Sequence, residues 1–189
     1  MPDPKIALIT GASSGLGAEF ATQLAGRGYD LILTARRQSR LAELAHQLQS
    51  TYHVTVETIP ADLATTEGLQ ILISRMQTLP ALDLLVNNAG FGTHGTFAQV
   101  EPSKQAAMLH VHITASVMLA HAALPAMIAR HQGCIINVAS MAGLIPIRSV
   151  LYGTTKAFLI QFSESLQREL RGSGVDVQAL CPGFTYTGF

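Results

Sequence analysis

KIALITGASSGLG, residues 5–17, joins two kinds of pattern across one turn. KIALIT (5–10) is a short apolar run that stops at Gly11, which predicts a buried β-strand. Over 15–27 the apolar positions Leu16, Phe20 and Leu24 recur at helical spacing, which predicts a helix. The glycines therefore occupy a strand-to-helix turn. In such a turn Gly11 permits a tight bend, Gly15 lets backbone approach a pyrophosphate, and Gly17 allows close helix packing. Unpaired N–H groups and the dipole of the helix N-terminus favour phosphate there. The spacing, G-x3-G-x-G, differs from the G-x-G-x-x-G of the standard dinucleotide fingerprint. Its place directly after the first strand favours a dinucleotide site over a plain turn.

Outward from this turn the same alternation repeats. Apolar runs at 30–35 (DLILTA), 53–59 (HVTVETI), 82–87 (LDLLVN), 133–140 (GCIINVAS) and 175–181 (VDVQALC) predict further strands. Helical spacing over 39–50, 65–78, 103–130 and 150–171 predicts the helices between them. The strands are apolar throughout rather than alternating, as when helices cover both faces of a parallel sheet. Six β/α units predict a Rossmann-like, doubly wound α/β fold with strand order 3-2-1-4-5-6. No repeat or linker breaks the chain, so residues 1–189 are expected to form a single domain.

Composition narrows the function classes. Of 189 residues 48% are hydrophobic and 13% charged, which excludes a disordered chain. Twelve basic residues balance twelve acidic ones, which argues against a nucleic-acid or anionic-membrane surface. Cys134 and Cys181 lie in apolar runs and read as buried, reduced thiols. The N-terminal MPDPKIALIT lacks the pattern of a signal peptide. The apolar region 111–130 is broken by His112, His121 and Pro125, and reads as a buried helix rather than a membrane span. The expected location is the cytoplasm. His110 and His112, two apart, face different sides of a helix, so no metal site is expected.

After the second strand, an NAD-binding turn places an acid on the ribose hydroxyl, roughly 20 residues past the glycines. The chain instead reads TARR (34–37). Guanidinium suits a 2′-phosphate, so Arg36 and Arg37 favour NADP(H), although at least one of them is expected only to solvate a helix start.

LYGTTKA (151–157) puts Tyr152 and Lys156 one helical turn apart, a spacing also common on any amphipathic helix. The full set of motifs decides between the two. TGASSGLG (10–17, with Ser13, Ser14 and Leu16 among its glycines), Asp62-Leu63, NNAG (87–90, with Asn88, Ala89 and Gly90), Ser140 in NVASMAG, YGTTK (152–156) and PGFTYT (182–187, with Pro182, Gly183 and Thr187) fall in one order. Together they resemble the classical short-chain dehydrogenase/reductase family over nearly the whole chain. A softer likeness points to its NADP-linked ketone and ketoacyl reductases.

The resemblance implies an oxidoreductase that moves a hydride between NADP(H) and a carbonyl or alcohol. Tyr152 would be the general acid or base, Ser140 would orient the substrate oxygen, and Lys156 would also hold the nicotinamide ribose. Asp62 and Leu63 would meet adenine, and Pro182, Gly183 and Thr187 would flank the nicotinamide. Tyrosine ordinarily titrates near about 10, and a neighbouring ammonium is expected to lower that value.

Two departures from the family pattern stand out. His112 takes the place of the family's fourth catalytic residue, an asparagine linked to a proton-relaying water. Imidazole can donate and accept, so a relay through His112 is one expectation, and a bulkier ring that expels the water is the other. The family's usual seventh strand and substrate lid are absent from the sequence, so a C-terminally incomplete domain is expected. An NADP-binding homologue with little or no catalysis therefore remains the alternative to an enzyme. The resemblance also implies a homodimer or homotetramer through the two long helices. Met141, Leu144, Ile145 and Ile147 read either as a hydrophobic substrate surface or as core.

Overall fold

The computed structural model describes residues 5–183. Its strands are β1 (Ile6–Thr10), β2 (Asp30–Ala35), β3 (Val56–Pro60), β4 (Leu84–Asn87), β5 (Gly133–Val138) and β6 (Val175–Leu180). All neighbouring pairs are parallel, in the order β3-β2-β1-β4-β5-β6 that the sequence pattern predicts. The helices are α1 (Gly15–Ala25), α2 (Gln38–Tyr52), α3 (Thr66–Gln77), α4 (Pro102–Leu109), α5 (Ser116–Ala129) and α6 (Val150–Glu169).

Successive strand side chains point to opposite faces, so each central strand feeds two cores. Ala7, Ile9, Leu31, Leu33, Leu84 and Val86 pack with α1 and α2 on one face. Leu8, Ile32, Leu85 and Ile135 pack with α3, α5 and the end of α6 on the other. This double coverage explains the unbroken apolar runs of β1, β2 and β4. The last described strand differs. In β6, Val175 and Val177 are buried and Asp176 and Gln178 exposed, an alternation that the central strands lack.

Two elements differ most from the sequence expectation. The third strand begins at Val56 rather than at residue 53, because His53 is left-handed (φ 58°) and closes α2, its N–H donating to the Gln49 carbonyl. The expected helix over 103–130 exists as one 28-residue stretch, Pro102–Ala129, but α4 and α5 are joined by a π-helical segment, His110–Ala115. Such bulges arise where neighbouring structure reshapes the helix ladder, and often lie at functional sites. By length and composition alone this stretch could cross a membrane. Its Val111, Ala115, Leu119, Ala120, Ala123 and Met127 instead lie in the core beneath the sheet.

Near the carboxyl ends of β4 and β5 the buried side chains become polar. The Asn87 amide donates to Asn137 Oδ1 (2.9 Å) and to the Ser116 carbonyl (3.2 Å). The Asn137 amide donates to Ser163 Oγ (2.9 Å), and Ser163 donates to the Leu159 carbonyl (2.6 Å). Two strands, α5 and α6 are thus tied by one buried chain. Removing its middle member strands donors and acceptors that water cannot reach. Asn137→Ala is expected to lower unfolding free energy by about 2–4 kcal/mol in a denaturant titration.

Candidate active site

Every sequence-derived site residue that the structure describes, apart from Tyr152, Lys156 and His112, follows the carboxyl end of a strand. The crevice of such a fold opens where strand order reverses, here between β1 and β4. Thr10 closes β1 at that point. Its hydroxyl accepts from the backbone N–H groups of Asn88 and Ala89, both at 2.9 Å, and donates to the Val86 carbonyl at 3.3 Å. The Asn88 amide donates to the carbonyls of Thr10 (2.9 Å) and Gly11 (3.3 Å). Asn88 therefore braces the glycine loop with its side chain.

The loop itself needs its glycines. Gly11 has φ 67°, in the left-handed region. At Gly17 a Cβ would lie 2.4 Å from the Gly11 carbonyl oxygen, so helix and loop touch backbone to backbone. Gly15, φ 58°, begins α1. The preceding Ser14 does not cap that helix with its side chain. Its hydroxyl instead accepts from Arg37 Nη2 (2.9 Å), which also reaches Ser13 Oγ (3.1 Å). Two hydroxyls, an exposed guanidinium and an 11-residue helix N-terminus converge there, a donor set suited to phosphate. Arg36 is also exposed, beside it at the end of β2.

Leu16 packs into the core beneath the loop. After β3, Asp62 is exposed, with Oδ1 accepting from the Ala64 N–H (3.0 Å), whereas Leu63 is buried in the core. Ala89 packs against the same core. Pro182 accepts from the Met141 N–H (3.0 Å), and Gly183 is exposed among the described residues. Thr187 lies outside the described residues.

Ser140, Tyr152, Lys156 and His112 come together. Ser140 leaves β5 and caps a 3-10 turn, Met141–Gly143, its Oγ accepting from the Ala142 N–H (3.1 Å). That turn lies on α6, where a Cβ at Gly143 would fall 2.6 Å from the Lys156 carbonyl carbon. Tyr152, half-buried, is hydrogen-bonded to Ser140. Lys156 is 4% exposed, and its Nζ donates to the Val138 carbonyl (2.7 Å) while lying 5.6 Å from the Tyr152 ring centre. His112 is fully buried in the π-helical segment, edge-on to Tyr152 at 5.7 Å.

Electrostatics depart from the expectation at Tyr152. Burial raises its pKa, and the Ser140 hydrogen bond opposes that rise without cancelling it. Burial brings Lys156 down to about 8. Burial first, and the Lys156 charge second, hold His112 at about 3, so its ring is neutral.

Met141, Leu144 and Ile145 are 50–63% exposed and Ile147 is half-buried, so these side chains form a surface beside Ser140 rather than core. A cleft of about 390 Å³ between the loop after β4 and the start of α4 is lined by Phe91, His94 and Lys104 among others. Cys134 and Cys181 are free but half-buried rather than fully buried. Among the described residues no cluster of three His, Cys, Asp or Glu side chains could hold a metal. Thr10, Phe91, Asn137 and Thr155 make contacts at or beneath the site that sequence reading did not assign. Thr10, Asn137 and Thr155 lie inside quoted motifs, and only the three-dimensional contacts separate them from their neighbours.

The sequence profile described as short chain dehydrogenase matches residues 5–189. An uncharacterized oxidoreductase of Staphylococcus saprophyticus is 35% identical over 97% of this chain and 79% of its own length. A short-chain dehydrogenase from Sphingobium yanoikuyae, solved in complex with NADPH, superposes with a TM-score of 0.94 at 38% identity, covering 97% of this chain and 72% of that one. The bulky-bulky ketone specific alcohol dehydrogenase from Comamonas testosteroni superposes with a TM-score of 0.94 at 36% identity, covering 96% of this chain and 73% of that one.

The bridge across the crevice is open to a direct test. Thr10→Val keeps the shape of the side chain but strands the Ala89 N–H and leaves the Asn88 N–H with only the Val86 carbonyl (3.1 Å). It is expected to cost about 2–3 kcal/mol in chemical denaturation and to speed amide exchange at residues 88 and 89.

Proposed function

Because this chain belongs to the short-chain dehydrogenase family, we propose that it is an NADP(H)-dependent oxidoreductase that reduces a carbonyl to an alcohol, or reverses that step, with Tyr152 as general acid. The observation that carries the reading is the convergence of Ser140, Tyr152 and buried Lys156, one helical turn from Tyr152, on a sheet whose first strand leads into the glycine loop.

The residues fit the dinucleotide. The loop 11–17 offers backbone and hydroxyl donors to the pyrophosphate, and Arg37, held by Ser13 and Ser14, is placed for the 2′-phosphate with Arg36 beside it. Asp62 and Leu63 would meet adenine, the backbone of Asn88, Ala89 and Gly90 would border the ribose, and Pro182 and Gly183 would flank the nicotinamide. When bound, the cofactor supplies or accepts a hydride.

A phenol ordinarily titrates at about 10 and so holds its proton at neutral pH, and burial shifts Tyr152 further in that direction. It can therefore give its proton to a carbonyl oxygen as negative charge builds there. Ser140 already accepts from the Ala142 N–H, which leaves its O–H to donate to the same oxygen. Lys156 carries the charge that stabilises the phenolate left behind. It also lies where the nicotinamide ribose hydroxyls would reach its Nζ.

The exposed Met141, Leu144 and Ile145 favour a substrate with apolar groups around its carbonyl. Leu109, Met118, Ile128 and Phe158, 37–43% exposed on the long helices, support pairing of two or four copies there.

Two measurements test the reading. In a fluorescence titration NADPH is expected to bind far more tightly than NADH, and Arg37→Ala to weaken NADPH about 10–100-fold while sparing NADH. Equal affinities would overturn the cofactor assignment. Across a carbonyl panel, Tyr152→Phe is expected to lower kcat by about 10²–10⁴-fold with NADPH binding retained. The Lys156 ammonium is present below its pKa and lost above it, so carbonyl reduction is expected to decline as pH rises through about 8. NADPH binding without turnover of any carbonyl would favour a nucleotide-binding homologue.

A further inference from the structure

His112 lies where two segments of the site meet. Nε2 accepts from the backbone N–H of Phe91 at 3.0 Å, and an amide N–H can only donate. A neutral ring must therefore carry its hydrogen on Nδ1. Nδ1 is 2.8 Å from Thr155 Oγ1, so it donates there. The Thr155 hydroxyl then donates to the Tyr152 carbonyl at 2.9 Å. All three bonds point the same way, from a backbone amide to a backbone carbonyl.

This chain has no proton to pass on. At one end the Phe91 amide does not ionise, and at the other the Tyr152 carbonyl has no proton to release. Both ring nitrogens are already engaged. Among the described residues, the charged or titratable groups beside the ring are Lys156 and Tyr152 of α6, and a positive imidazole would sit against the Lys156 ammonium.

We propose that His112 is a positioning residue and not a proton relay: its neutral Nδ1–H imidazole is a strut between the loop after β4 and the Tyr152–Lys156 turn of α6. The proposal deepens the reading above, since the turn it holds is the one that presents Tyr152 and Lys156. Gly90 fits the strut, because a Cβ there would lie 3.0 Å from Nε2 and 3.6 Å from Lys156 Nζ. Thr155 becomes its functional partner, a role outside the Tyr152–Lys156 pair.

The first arm of the test needs no substrate. Imidazole nitrogen-15 spectra of the full chain, with His112 assigned among the seven histidines by its loss in His112→Asn, are expected to show hydrogen on Nδ1 and no titration between about pH 5 and 9. Hydrogen on Nε2, or titration in that range, would falsify the strut.

The second arm uses NADPH and the ketone turned over fastest in the panel. His112→Phe and Thr155→Val are each expected to lower kcat about tenfold with the KM for NADPH within about twofold, and the double variant to be no worse than the poorer single. A Thr155→Val enzyme with unchanged kcat would overturn the proposal in favour of a relay through Nε2. Should the unaltered chain reduce no ketone, the oxidoreductase reading fails, while the spectra still decide the state of His112.

Discussion

The hydroxyl of Thr10 holds open the place where this fold divides. Strands β1 and β4 pair from Ala7 and Leu84 as far as Ile9 and Val86. Beyond that rung one chain turns into the glycine loop and α1, and the other into the loop that carries Asn88, Ala89 and Gly90. Neither sheet nor helix can satisfy the N–H groups at the split, and Thr10 accepts from two of them. A β-branched side chain suits the task because its χ1 is stiff. Asn88 completes the joint by returning its amide to the Thr10 and Gly11 carbonyls. The geometry of the glycine loop, and hence of the serines that meet Arg37, depends on this crossing of bonds.

The second constraint is charge. Lys156 is almost fully buried and donates to one carbonyl. Burial makes its ammonium easier to deprotonate and makes the Tyr152 phenol harder to ionise. A second cation within the same pocket would add repulsion at low dielectric. The neutral ring at His112 avoids that, at a position where imidazole would ordinarily titrate near neutrality. The pocket thus keeps the positive charge of Lys156 beside Tyr152 without adding a second one at His112.

Much of this was legible in the residues. The strand order follows from apolar runs separated by helical spacing, and the crevice residues follow from motifs at strand ends. What the sequence could not reveal depends on orientation. Spacing put Lys156 one turn from Tyr152, but not whether its ammonium would face the phenol or the Val138 carbonyl. Arg36 and Arg37 are chemically equal neighbours in sequence, and only the loop contacts single out Arg37. VHITA has the apolar spacing of an ordinary α-helix, so the π-helical segment around His112 left no trace in the pattern. Met141, Leu144 and Ile145 were equally compatible with core and surface, because hydrophobicity does not say which face an irregular segment turns to the solvent.

The buried asparagines explain why such a site can be held to fractions of an ångström on an apolar sheet. Leucine and valine contacts fix the distance between layers but are non-directional, so a helix could slide along the sheet at little cost. Asn87 and Asn137 are register partners, and their amides run sideways to the Ser116 carbonyl and Ser163 Oγ. Ser116 directly follows the segment that carries His112, and Ser163 lies on α6 two turns beyond Lys156. Sliding either helix would leave a buried amide or hydroxyl without its partner, which costs more than the apolar contacts can return. The apolar layers therefore set the thickness of the fold. The directional bonds set where along it His112, Tyr152 and Lys156 stand.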